Sequence, residues 1–283
     1  MCNTCGCNVT PGNRPFVMAE KPKPGLTTVS VLQNLLLQNN TQAEHNRAHF
    51  DAHQVLVINL MSSPGSGKTT LLEATIKRLA GTLKLAVLEG DLETENDAQR
   101  IRAQGVPAYQ IITGTACHLD AHLIHDALHH MPLEGLDLLF IENVGNLVCP
   151  ASFDLGHHRN VVLLSATEGD DKPSKYPVMF RAADLMVLSK TDLLPYLEDF
   201  SPVRAEQNLH NLANDAEVIA VSSKDSSGLD AWIAWLHAEI ANYKQLVATH
   251  QTLRPKVQED GQKLHAQVAT PKFVPVKPNS VHP

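Results

Sequence analysis

Val55-Leu-Val-Ile-Asn-Leu-Met-Ser-Ser-Pro-Gly-Ser-Gly-Lys-Thr-Thr70 is the stretch whose reading decides the fold. Residues 55–60 form a short apolar run that reads as a buried strand. Residues 62–70 follow the pattern G-x-x-x-x-G-K-[ST], with Ser62 standing where the first glycine belongs. Residues 68–79 then read as a helix. Gly65 and Gly67 let backbone N–H groups close around phosphate oxygens with no Cβ in the way. The helix N-terminus adds partial positive charge. Within Gly65, Ser66, Gly67, Lys68, Thr69 and Thr70, the Lys68 ammonium is expected to reach the β- and γ-phosphates and Thr69 to ligate Mg²⁺.

Outward from this loop the chain alternates strand and helix. Further strands are expected at 83–88, 109–113, 136–141, 161–165, 185–188 and 218–221. Helical stretches are expected near 95–104, 116–130, 178–183, 203–213 and 228–243. Apolar strands alternating with helices imply an α/β fold with a mostly parallel sheet covered by helices on both faces. The organisation is a cysteine-rich head at 1–7, a Pro/Gly linker at 8–28, a helical segment at 29–53, the nucleotide domain at 54–247 and a proline-bearing, disordered tail at 248–283.

Three later motifs argue for guanine. The strand at 136–141 runs into Glu142-Asn-Val-Gly145, the D-x-x-G position with Glu for Asp. The strand at 185–188 runs into Ser189-Lys-Thr-Asp192, which is similar to N-K-x-D with Ser for Asn. There the Asp192 carboxylate accepts both N–H groups of the guanine edge and Lys190 packs on the ring; adenine offers no such pair of donors. The strand at 218–221 ends in Ser222-Ser-Lys224, an element that supports the base. Each tetrapeptide is weak alone, but all three sit in order at strand ends, where ligands of parallel sheets bind. Asp91 and Glu142 are the two candidates for holding Mg²⁺. No residue reads as a water-positioning glutamine, so slow intrinsic GTP turnover is expected.

The chain has five cysteines, and three of them fall at positions 2, 5 and 7. Cys2-x-x-Cys5-Gly-Cys7 gathers three thiolates within six residues, a donor set that suits Ni²⁺, Zn²⁺ or Cu⁺. The other two, Cys117 and Cys149, lie after strands on the nucleotide side of the sheet, and Cys117 is followed by His118. These three read equally as a second metal site or as buried structural residues. Cys117 and His118 are expected to open a helix, and His122, His125 and His129 to continue one of its faces as a solvated or dimer-facing stripe. The net charge of −7 argues against nucleic acid as the main partner. No apolar run approaches the ~20 residues of a membrane span. The first seven residues lack the apolar core of a signal peptide, which makes a cytoplasmic address the expectation.

A Cys-x-x-Cys-Gly-Cys head, a linker and a GTPase domain together resemble the HypB family, the nickel-insertion GTPases of [NiFe]-hydrogenase maturation. The resemblance is carried by Asn59-Leu-Met-Ser-Ser-Pro-Gly-Ser-Gly-Lys68, Glu89-Gly-Asp-Leu-Glu-Thr94, Ala116-Cys-His-Leu-Asp120, Ile141-Glu-Asn-Val-Gly-Asn-Leu-Val-Cys-Pro150 and Glu168-Gly-Asp-Asp-Lys-Pro-Ser-Lys-Tyr-Pro177. It implies a dimerising GTPase metallochaperone with a tight Ni²⁺ site at Cys2, Cys5 and Cys7. It also implies a weaker Ni²⁺ or Zn²⁺ site at Cys117, His118 and Cys149 at a dimer interface. Lys172 or Lys175 is implied to lie near the phosphates, within a subunit or across the dimer. The implied partners are a second copy of the chain, a zinc-bearing HypA-type accessory protein and the hydrogenase large subunit. The competing readings are a urease-type nickel GTPase chaperone, a metal-storage protein with a regulatory nucleotide site, and a P-loop small-molecule kinase. The linker contains no histidine, which argues against storage.

Overall fold

The computed structural model of the protein describes residues 28–256 except 92–94 and 115, with the backbone alone for 28–34. The Cys2, Cys5 and Cys7 head, the linker up to residue 27 and the tail beyond 256 lie outside the described residues. The elements in order are α1 (Thr28–Ala52), β1 (Leu56–Ser62), α2 (Lys68–Leu79), β2 (Leu85–Asp91), α3 (Asn96–Arg102), β3 (Ala108–Ile112), α4 (Ala121–Leu128), β4 (Leu138–Glu142), β5 (Arg159–Ser165), α5 (Lys172–Lys175), α6 (Pro177–Arg181), β6 (Leu185–Ser189), α7 (Pro202–His210), β7 (Glu217–Ala220) and α8 (Leu229–Ala248). Short 3₁₀ turns occupy Pro150–Ser152 and Thr191–Tyr196.

The seven strands form one sheet in the order β3-β2-β4-β1-β5-β6-β7, and every neighbouring pair is parallel. β1 is central, with the chain leaving it toward β2 and β3 on one side and later toward β5, β6 and β7 on the other. The phosphate loop therefore leaves the sheet where the strand order reverses, the place where a crevice opens outside the carboxyl ends of the strands.

The strands are buried because both faces are covered. Alternate residues Leu56, Ile58, Leu60, Val87 and Phe140 pack under Leu72, Ile76 and Leu79 of α2 and Trp232, Leu236 and Ile240 of α8. The Trp232 indole donates to Thr75 Oγ1 at 2.8 Å, which fixes α8 to α2. The intervening residues Val57, Leu88, Leu139 and Ile141 face Phe50 of α1 and Leu123, Ile124 and Ala127 of α4. Met61, Val162, Leu164 and Met186 face Met179 and Phe180 of α6 and Ala205 and Leu209 of α7. This period of two on fully buried strands is what a sheet between two helical layers requires.

The weakly patterned helix α1 is held by polar anchors more than by an apolar stripe. Asn46 donates to Ala121 O at 2.8 Å and to Leu155 O at 3.2 Å, and Asn39 donates to Asp154 O at 2.8 Å. Arg47, 1% exposed, pairs with Asp154 at 2.5 Å. The turn beside it needs glycine: Gly156 has φ +88°, and a Cβ there would stand 2.6 Å from Ala43 O.

Two boundaries differ from the sequence expectation. The helix expected from 116 begins only at Ala121, because Asp120 caps it by accepting Leu123 N at 2.9 Å. Cys117 and His118 therefore stand in the loop before the helix. Residues 249–256, placed with the tail on proline content, pack on the domain. Leu253 joins the core, Thr252 donates to Asp51 at 3.1 Å and Arg254 pairs with Glu44 at 2.7 Å.

Candidate nucleotide and metal site

β1 delivers the chain to a loop in which Gly65 has φ +73° and Gly67 φ +94°, and α2 starts at the next residue. Ser62 in the first glycine position is accommodated: its hydroxyl turns back to Ser63 O at 2.6 Å and accepts from Lys68 Nζ at 3.2 Å. A cavity of about 470 Å³ opens over the loop, lined by Gly65, Gly67, Lys68, Thr69, Thr70, Asp91, Glu142 and Lys190, with Pro64, Asp97, Arg100, Val144 and Gly145 around them. Arg100 pairs with Glu73 and Asp97, both at 2.8 Å. Sequence reasoning missed Arg100, since α3 carries no motif.

The base-reading and phosphate loops are tied together. Ser189 Oγ donates to Ser66 O at 2.7 Å and Lys190 Nζ to Gly65 O at 2.7 Å. Ser189, the departure from N-K-x-D, thus supplies a side-chain hydrogen bond to the phosphate loop. Asp192 is oriented by Ser222, whose hydroxyl donates to Asp192 Oδ1 at 3.0 Å; the Lys224 ammonium stands 3.9 Å from Oδ2. Glu168 clamps the loop from the far side by accepting from Ser66 Oγ at 2.5 Å and from Ser63 Oγ. Its role was not read from the sequence, where it is only the start of a matched phrase.

Lys172 and Lys175 are not brought to the cavity in this single chain. Lys172 Nζ lies 5.2 Å from the Tyr176 ring centre, and exposed Lys175 pairs with Asp171 at 2.6 Å. Neither lines the cavity.

At the ends of β2 and β4, Glu89 and Glu142 stand side by side in register, each 3% exposed. Burial, and for Glu89 next the Glu142 carboxyl, pushes both above the usual carboxylate range; Lys68 opposes the rise at Glu142. Glu142 Oε1 accepts from Thr69 Oγ1 at 2.8 Å, while Oε2 of both glutamates is buried with no hydrogen-bond partner. Unpartnered carboxylate oxygens beside a threonine hydroxyl and Asp91 are the hard oxygen donors that fit Mg²⁺.

The metal donors converge on the neighbouring loops. Cys117 Sγ lies 3.2 Å from Cys149 Sγ and 3.8 Å from His118 Nδ1, and the three donor atoms all fall within 4.8 Å of one another. His118 is fully buried and stacks on Phe153 with ring centres 4.0 Å apart. Burial lowers its pKa to about 4, which keeps the imidazole in the neutral, ligating form at pH 7. Its Nε2 has no hydrogen-bond partner. Two thiols and a neutral imidazole suit Ni²⁺ or Zn²⁺.

A line of contacts joins the two sites. Asn143, next to Glu142, accepts from Leu119 N at 3.3 Å and donates to Asn59 at 3.1 Å. Asn146 donates to Cys117 O at 3.2 Å. At Gly145 the same loop touches the phosphate loop so closely that a Cβ would stand 2.8 Å from Pro64 Cα. The segment from Glu142 to Cys149 therefore carries a phosphate-side group at one end and a metal donor at the other.

Residues 56–220 match the CobW/HypB/UreG nucleotide-binding domain. The hydrogenase maturation factor HypB of Escherichia coli K12 is 52% identical over 219 residues, covering 76% of this chain and 75% of that protein. Among solved structures, HypB from Helicobacter pylori in complex with nickel superposes with a TM-score of 0.70 at 42% identity, over 72% of this chain and 96% of that one. HypB from Archaeoglobus fulgidus gives a TM-score of 0.68 at 38% identity, over 72% of this chain and all of that one (100%).

Proposed function

The chain belongs to the CobW/HypB/UreG nucleotide-binding family, and from that membership we propose that it is a GTP-hydrolysing nickel metallochaperone serving [NiFe]-hydrogenase maturation. The observation that carries the proposal is the Cys117–His118–Cys149 cluster, joined by the Glu142–Cys149 loop to the phosphate side of a P-loop. The relatives' names, hydrogenase maturation factors, and the nickel in the Helicobacter pylori structure support it.

GTP enters with its phosphates over Gly65–Thr70, and Lys68 leaves the Ser62 hydroxyl for the phosphate oxygens. Asp192, held by Ser222, accepts from the guanine edge, and Lys190 flanks the ring. Thr69, Glu142 and Asp91 would hold the Mg²⁺, which would supply neutralising charge to the phosphates. Glu142 would exchange its bond from Thr69 for the ion, and this would move the residue that begins the metal loop. Cys117, His118 and Cys149 bind nickel as cargo, with zinc as the competing ion, and the loop's two states hold it with different affinity. Cys2, Cys5 and Cys7 add a tight nickel site on a tether. Dimerisation brings Lys172 or Lys175 of one copy toward the phosphates of the other. A HypA-type protein and the hydrogenase large subunit are the partners in the cytoplasm.

The direct test of the activity is single-turnover phosphate release from GTP with Lys68→Ala as control. Release from GTP but not ATP, lost in the variant, is expected; acceptor-dependent transfer contradicts it.

A further inference from the structure

We propose that His45, His49, His125 and His129 form a further metal site, in which two helices each offer a pair of imidazoles to one divalent transition-metal ion. The sequence showed only the α4 members of this group. The structure sets a second set against them: α1 carries His45 and His49, with His53 just past its end, at four-residue spacing, and α1 packs on α4 through Asn39 and Asn46. The rings of His45 and His125 meet edge to face across the seam with centres 5.2 Å apart, and His125 meets His129 at 5.1 Å. His49 stands 4.6 Å from His53, whose Nδ1 bonds back to His49 O at 2.9 Å, so His53 is the outer member.

Helical residues four apart lie one above the other, so each pair presents two donors to the same side. Burial, followed by the neighbouring imidazoles, lowers His49 and His125 below the ordinary histidine range. Five imidazoles along one seam are a nitrogen donor set for a cation. Asp126 is the carboxylate that acts on His125. Imidazole nitrogen selects Ni²⁺, Zn²⁺ and Cu²⁺ over Mg²⁺ or Ca²⁺. The donors are less converged than the Cys117 cluster, the one group among the described residues whose three donor atoms lie within 4.8 Å. Closing them takes rotamer changes of side chains at the surface, on a helix pair whose backbones are already fixed. The site is all-nitrogen and half open, unlike the buried thiol pocket.

The test uses the full-length chain with Ni²⁺ or Zn²⁺ alone, equilibrium dialysis to count bound ions, and the variants H45Q/H49Q and H125Q/H129Q. Both variants are expected to lose the same single equivalent, or to bind it at least tenfold more weakly, and to lose the rise in Tm that the ion gives the wild type. GTP turnover stays unchanged, which separates this site from the nucleotide and cysteine sites. Unchanged stoichiometry and affinity in either variant overturns the proposal, as does loss of separate equivalents from the two helices. Should a variant fold poorly, histidine-directed acylation of the wild type decides. Nickel has to protect His45, His49, His125 and His129 while exposed His210 and His237 stay reactive; equal labelling with and without nickel overturns the site.

Discussion

Asp192 is held by one hydroxyl, Ser222, and its second oxygen faces the exposed Lys224. Replacing it with Asn exchanges an acceptor for a donor at the guanine edge. Asp192→Asn is expected to cost about 1.5–3 kcal/mol of GDP binding, roughly 10- to 150-fold, with ADP binding unchanged; competition titration reads both. A second residue, His157, bears on pH. It is 1% exposed, accepts from Leu155 N at Nδ1 and donates from Nε2 to Asn160 at 2.7 Å, so the fold holds it neutral. Burial lowers its pKa to about 4. A histidine depressed in the folded state contributes stability above its unfolded value near 6.5, and that contribution is lost as pH falls toward 4. The loss is on the order of 2–4 kcal/mol. Urea melts of the wild type across pH 7 to 4 should show that decline, with a shallower one in His157→Gln. At this scale the sequence was legible in the placement of motif residues: Lys68 and Thr69 line the cavity, and Ser222 meets Asp192. It was not legible for Glu168, whose serine partners lie on the distant phosphate loop, nor for Arg100, whose Glu73 partner stands on another helix; both follow from topology.

Among elements, the loop from Glu142 to Cys149 and the cap of α4 set the geometry of the Cys117, His118 and Cys149 donors. Asp120→Ala removes the cap and should cost about 1 kcal/mol, ~2–4 °C in Tm, while lowering nickel affinity through the Cys117–His118 loop; calorimetry and metal titration read the two effects. The expected helix from 116 failed here because apolar spacing continues through Ala116 and Leu119, and only the Asp120 cap shows where helix gives way to loop. The strand-and-helix alternation was legible because every strand is buried on both faces and reads as an apolar run. The end of the domain was not: prolines argued for a tail, yet Leu253 and Arg254 pack on α1 and the core. Ending the chain after Ala248 should cost on the order of 2–4 kcal/mol, from one buried leucine and the bonds to Asp51 and Glu44, as a shift in urea midpoint.

For the whole molecule, the parallel sheet places two chemistries at one edge and lets a single loop touch both. The phosphate loop and the Cys117 cluster sit beyond the carboxyl ends of β1, β3 and β4, and the Glu89–Glu142 pair lies in the carboxyl-terminal parts of β2 and β4. Binding free energies linked in this way are reciprocal: whatever GTP does to nickel affinity, nickel does to GTP affinity. The measurement that bears most directly on the account is the affinity of a non-hydrolysable GTP analogue and of GDP, each with and without saturating nickel. The account predicts a nickel-dependent difference between the two nucleotides of at least about fivefold, retained when Cys2, Cys5 and Cys7 are replaced and abolished by Cys117→Ala. Equal affinities in every combination would contradict it.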